Sequence, residues 1–110
     1  MAVSSNLYVD QGTDFTAIVN LQNISGGAFD LSNYSLRAQM RKNYTSTTYI
    51  EFTTIISDAF NGVCEIRLSP SDTDGLRPGR YVYDVEAVSP QGTVYRVVEG
   101  IVEIIPNVTR

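Results

Sequence analysis

Apolar side chains recur at every second position over most of this chain, in short runs bounded by Gly, Asn, Asp, Ser or Pro. A period of two puts alternate side chains on opposite faces of an extended strand, so the pattern predicts half-buried strands. In "DFTAIVNLQN", Phe15, Ala17, Val19 and Leu21 share one face, and Thr16, Ile18, Asn20 and Gln22 the other. "YSLRAQMRK" repeats the pattern, with Tyr34, Leu36, Ala38 and Met40 set against Ser35, Arg37, Gln39 and Arg41. Between them, "NISGGAFDLSN" has the composition of a loop from which Phe29 and Leu31 fold back onto the core. "TTYIEFTTIIS" is rich in β-branched and aromatic residues and reads as one strand. A turn at Asn61-Gly62 then joins it in a hairpin to "VCEIRLS", whose Cys64, Ile66 and Leu68 point inward. Ser69 before Pro70 has the order of an N-cap and first helical residue, so "SPSDTDGL" predicts a single helical turn crossing between sheets.

The last third supplies two further strands around Pro90-Gln91-Gly92. With Gly92 in the left-handed position of a three-residue loop, Ser89 faces Thr93 and the register follows. Tyr81, Tyr83, Val85 and Ala87 then line one face with Tyr95 and Val97 opposite them, and Glu86 lies across from Arg96 on the solvent face. Strict alternation past Val97 in "RVVEGIVEIIP" would drive Glu99 and Glu103 into the core, where an unpaired charge is very costly. Gly100 is the predicted bulge that changes the phase, turning Val98, Val102 and Ile104 inward and both glutamates to water. With a short strand at "NLYVDQ", the expected fold is an all-β, immunoglobulin- or fibronectin-III-like β-sandwich of about seven strands with one short helical turn. The antibody-type buried Trp and cysteine pair are missing from it.

The 110 residues suit a single domain over 1–110. Twelve acidic against eight basic residues give a net charge of −4, which repels phosphate backbones and anionic lipid, so neither nucleic acid nor membrane is an expected partner. No run of about eighteen apolar residues and no leader pattern are visible, which predicts synthesis and assembly in a cytoplasm. On that expectation the sequons at Asn23, Asn33, Asn43 and Asn107 carry no weight.

The sequence contains no histidine, which removes the usual general base and commonest metal ligand, together with every Ser-His or Cys-His arrangement. Cys64, the one cysteine, reads as a small buried hydrophobe. Carboxylate pairs remain at Asp84 with Glu86, Asp72 with Asp74, and Glu99 with Glu103, and all three read as solvated strand or turn positions. Asp72 and Asp74, with Asp58 elsewhere, lack the spacing and closing glutamate of a calcium loop. The expectation is therefore a protein with no catalytic residues, no cofactor and no metal site. Tyr44 and Tyr49, flanking "KNYTSTTY", are the candidate exposed aromatic patch for a partner or ligand, with glycans as the alternative ligand class.

The stretches "QGTDFTAIVNLQNISGGAFDLSNYSLRAQMRK" and "LRPGRYVYDVEAVSPQGTVYRVVEGIVEIIPNVTR" together resemble small virion-associated proteins of tailed bacteriophages. They are also similar to the immunoglobulin-like N-terminal domain of phage baseplate upper proteins. The resemblance covers nearly the whole chain and brings no catalytic motif. It implies a noncatalytic structural protein of the virion, in a decoration, neck, tail or baseplate role, assembled in the host cytoplasm. Its implied partners are other virion proteins and further copies of itself.

Overall fold

The computed structural model describes residues 3–22 and 26–109; the Asn23 sequon lies outside the described residues. In chain order the strands are β1 (Val3–Ser4), β2 (Leu7–Asp10), β3 (Phe15–Asn20), β4 (Ser35–Arg41), β5 (Ile50–Glu51), β6 (Thr53–Asp58) and β7 (Val63–Leu68). Helix α1 (Pro70–Asp74) follows, then β8 (Gly79–Val88) and β9 (Val94–Ile105). The larger sheet runs β9, β8, β4, β5, with β1 and β2 both added in parallel along the outer side of β9. The smaller sheet is β3, β7, β6, antiparallel throughout. The two pack face to face as a β-sandwich, with Val9, Met40, Val85, Val98, Val102 and Ile104 from one sheet closing on Cys64, Ile66 and Leu68 from the other.

The wiring is immunoglobulin-like: the chain crosses between sheets after β2, after β3, after β5 and, through α1, after β7. Ser69 caps α1 by accepting from the Asp72 amide while the Asp72 carboxylate accepts from the Ser69 amide, a reciprocal capping box with Pro70 in the first turn. At the start of β8, Tyr81 donates its hydroxyl to the Arg77 carbonyl at 2.9 Å. That is the tyrosine corner of immunoglobulin-type sandwiches, here standing without the disulfide that accompanies it in antibody domains.

The facing of β3, β4, β7 and β8 agrees with the alternation, and Leu31 is fully buried as the loop composition predicts. The hairpin between β8 and β9 has Gly92 at φ 88° and the Ser89 amide bonded to the Thr93 carbonyl at 2.8 Å, in the expected register. Two expectations about the course of the strands require correction. "TTYIEFTTIIS" is two strands, because the chain changes sheets at Phe52: its amide still bonds Ala38 of β4 at 2.9 Å, and its ring is buried against Tyr83. The phase change in β9 sits at Val97, where Val85 pairs with Val98 and Glu86 with Arg96, leaving Val97 as the extra residue. Both valines are buried, so the bulge adds a core side chain instead of exposing one.

Gly100 has a different job. Between β1 and β2 the chain leans against Gly100 of β9, and the Ser5 carbonyl lies where a Cβ at position 100 would stand. Tyr83 donates to that same carbonyl at 2.6 Å, and Asn6 Oδ1 accepts from the Ile101 amide at 3.2 Å. The N-terminal segment is thus two short strands joined by a side-chain clasp. These two breaks account for nine strands among the described residues where about seven were expected.

Candidate functional site

The solvent face of the larger sheet is built by cross-strand register. Arg37 of β4, Glu86 of β8 and Arg96 of β9 form one row; Gln39, Asp84 and Glu99 form the next; Val82 and Ile101 continue from Arg41. Adjacent rows place cations beside carboxylates, around a concavity of about 430 Å³ lined by these side chains, Ile101 excepted, and by Tyr44.

Arg37 Nη2 donates to Glu86 Oε1 at 2.8 Å, while Arg96 Nε lies 3.2 Å from Asp84 Oδ2 and its Nη1 3.9 Å from Glu99 Oε1. The expected backbone pairing of Glu86 with Arg96 is present, but the guanidinium of Arg96 leans diagonally to the next row and leaves Glu86 to Arg37. Half-burial pushes the Asp84 carboxyl above the usual carboxylate range; Arg96 opposes this, and Glu86 and Glu99 add to it. Each carboxylate of the concavity therefore has an arginine at hand, and the open face keeps them in contact with water.

The rim is the loop after β4. Asn43 organises it, its Oδ1 accepting from the Thr45 amide at 3.1 Å, the Thr45 hydroxyl at 2.9 Å and the Ser46 hydroxyl at 3.1 Å. Arg41 Nη1 donates to the Ser46 carbonyl at 2.6 Å and Nη2 to Gln39 Oε1 at 3.1 Å, tying the loop to the sheet. Tyr44 stands at the tip, 85% exposed, over the concavity. Tyr49, 49% exposed, lies on the other side of Arg41, whose guanidinium is 4.8 Å from its ring centroid. The two candidate tyrosines thus flank one arginine, and only Tyr44 reaches the concavity. Asn43 also explains its own sequon: Thr45 is there to close the turn. Asn33, with φ 64°, occupies a left-handed turn position.

The other carboxylate pairs are separated in role. Asp72 is engaged in the cap of α1. Glu99 and Glu103 both face solvent on β9 but attend different cations, Glu103 lying 3.9 Å from Arg80 Nε. Asp58 bonds Asn61 within the hairpin turn. Among the described residues no cluster of three or more His, Cys, Asp or Glu is placed to hold a metal ion. The residues that sequence reasoning did not single out are Arg37, Gln39, Arg41 and Arg96. For Arg37, Gln39 and Arg41 the signal was the run of long polar side chains at alternate positions of "LRAQMR", which read only as the wet side of a strand, and Arg96 stood out only as the partner of Glu86.

No protein-family model matches the chain, and no curated protein does. Among solved structures, the internalin-like protein lmo2027 of Listeria monocytogenes is similar at 17% identity and TM-score 0.47, over 94% of this chain and 28% of that one. A family 123 glycoside hydrolase from Clostridium perfringens is similar at 15% identity and TM-score 0.43, over 97% of this chain and 24% of that one. The chain therefore spans about a quarter of the length of each of these larger bacterial proteins.

Proposed function

We propose that this chain is a noncatalytic assembly module acting through protein–protein contacts, as a structural component of a tailed-phage particle assembled in the host cytoplasm. The observation that carries the protein-contact reading is a strand edge on the smaller sheet, at β3, that is uncovered among the described residues and has no charge, glycine or proline along it. Isolated proteins normally blunt such edges, because their free backbone groups accept strands from other chains. The pairing of Asp84, Glu86 and Glu99 with arginines supports the noncatalytic part. The placement in a virion rests on the sequence resemblance of the two long stretches. Mass spectrometry of purified particles from a phage carrying this gene should find the protein at structural copy number; particles lacking it would overturn the virion placement.

A second reading is a glycan-binding module. It is favoured by Tyr44 overhanging a concavity of guanidinium, amide and carboxylate groups, the partners that sugar hydroxyls and ring faces use. A glycan array should then give hits that Tyr44→Ala abolishes; an array without hits removes this reading.

A further inference from the structure

We infer that β3 pairs with β3 of a second copy of this chain, antiparallel and two-fold symmetric about Ile18, joining the two small sheets into one continuous six-stranded sheet. This rests on the assembly reading above and names its partner.

Backbone phase comes first. The Leu21 amide bonds the Gly62 carbonyl at 2.8 Å, in the same register that pairs Val19 with Cys64 and Ala17 with Ile66. Odd-numbered residues therefore turn their backbone groups toward β7, and Thr16, Ile18 and Asn20 turn theirs outward. Among the described residues no chain segment pairs with that side.

The other edges are each closed to this use. β5 has two residues. β6 carries an irregularity between Ile56 and Asp58, and Thr54 bonds across to Leu36 of the other sheet. β1 and β2 are interrupted at Ser5 and Asn6. Only β3 offers six regular residues.

The side chains select the copy. With Ile18 opposite Ile18, Thr16 faces Asn20, Ala17 faces Val19 and Phe15 faces Leu21. Outward-pointing residues thus meet outward-pointing ones and apolar meets apolar, as pleating demands. Asp14 falls across from Gln22, so no like charges meet in a protein of net charge −4. Ile18 is 65% exposed as it stands, and Phe15, Ala17 and Val19 remain half-wet while Cys64 and Ile66 beside them are fully buried. A second β3 covers all four. The contact is one strand wide, which suits a weak dimer with a dissociation constant on the order of 10⁻⁴ M, strengthened where many copies are held together.

Sedimentation equilibrium of the full chain over a concentration series should show this dimer. Ile18→Lys, whose side chain points away from the core and leaves the circular dichroism unchanged, should weaken it by roughly tenfold or more. Ile18→Cys treated with a short bis-maleimide should cross-link, because the two positions lie roughly 5 Å apart across the two-fold. Ile55→Cys, on the same face but two strands away in each copy and roughly 24 Å from its mate, should not. Buried Cys64 does not compete. A wild type monomeric throughout, an Ile18→Lys variant that dimerises as well as wild type, or equal cross-linking at both positions would overturn the inference. A monomer that still binds a purified virion protein would sink self-pairing and leave the assembly reading standing.

Discussion

Asp84 is the residue at which burial and charge pull hardest against each other. Its carboxyl titrates above the ordinary 3.8, chiefly because the concavity half-buries it. A raised value means that the folded chain holds this proton more tightly than the unfolded one. The contribution of Asp84 to stability is therefore complete below 3.8 and declines as pH rises through the raised value. Urea melts of wild type and Asp84→Asn across that range should show wild type losing ground to the variant with rising pH. The opposite slope would mean that Arg96 dominates. Cys64 illustrates the same desolvation without a counter-charge: burial, aided by Glu65, pushes its thiol up to about 11, so it remains a protonated core side chain at neutral pH.

At the scale of the elements, the interest lies in where regular strands break. Gly100 admits the Ser5 carbonyl, and Tyr83 holds that carbonyl from the other side. Gly100→Ala should cost about 1–3 kcal/mol through overpacking, and Tyr83→Phe about 1 kcal/mol through the lost hydrogen bond. Amide exchange should show both losses beginning in β1 and β2. Uniform loss of protection across both sheets would contradict a local clasp. The alternation exposed the strands, the capped turn and the inward faces, because each is written in neighbouring residues. It could not reveal the change of sheet at Phe52, which depends on contacts with Ala38 and Tyr83 far along the chain. It put the bulge at Gly100 because glycine is the local mark of one, whereas the two consecutive valines that accommodate it, Val97 and Val98, look like ordinary strand. The concavity was half legible: Tyr44 and the carboxylates stood out, while their arginines became a site only through the pairing of β4, β8 and β9.

Over the whole molecule, charge is distributed unevenly. The large sheet's outer face carries Arg37, Arg41, Arg80 and Arg96 interleaved with Asp84, Glu86, Glu99 and Glu103, whereas the central strand of the small sheet carries only the internally paired Glu65 and Arg67. An association through the small sheet is therefore opposed by the overall charge of −4 and by nothing local. Raising the salt from roughly 0.01 M to 1 M shortens the screening length about tenfold, so self-association through β3 should tighten. Sedimentation at the two ionic strengths checks this, and an association that weakens with salt would implicate the arginine-rich face instead.

The parallel pairing of β2 with β9 fixes how the molecule bears load. Tension drawing Leu7 and Ile105 apart runs along two neighbouring strands joined from Leu7 opposite Val102 to Asp10 opposite Ile105. The inter-strand bonds then lie across the pull and must yield together in shear, not one after another as in an unzipping hairpin. β2 and β9 thereby form a mechanical lock between the two ends of this sandwich.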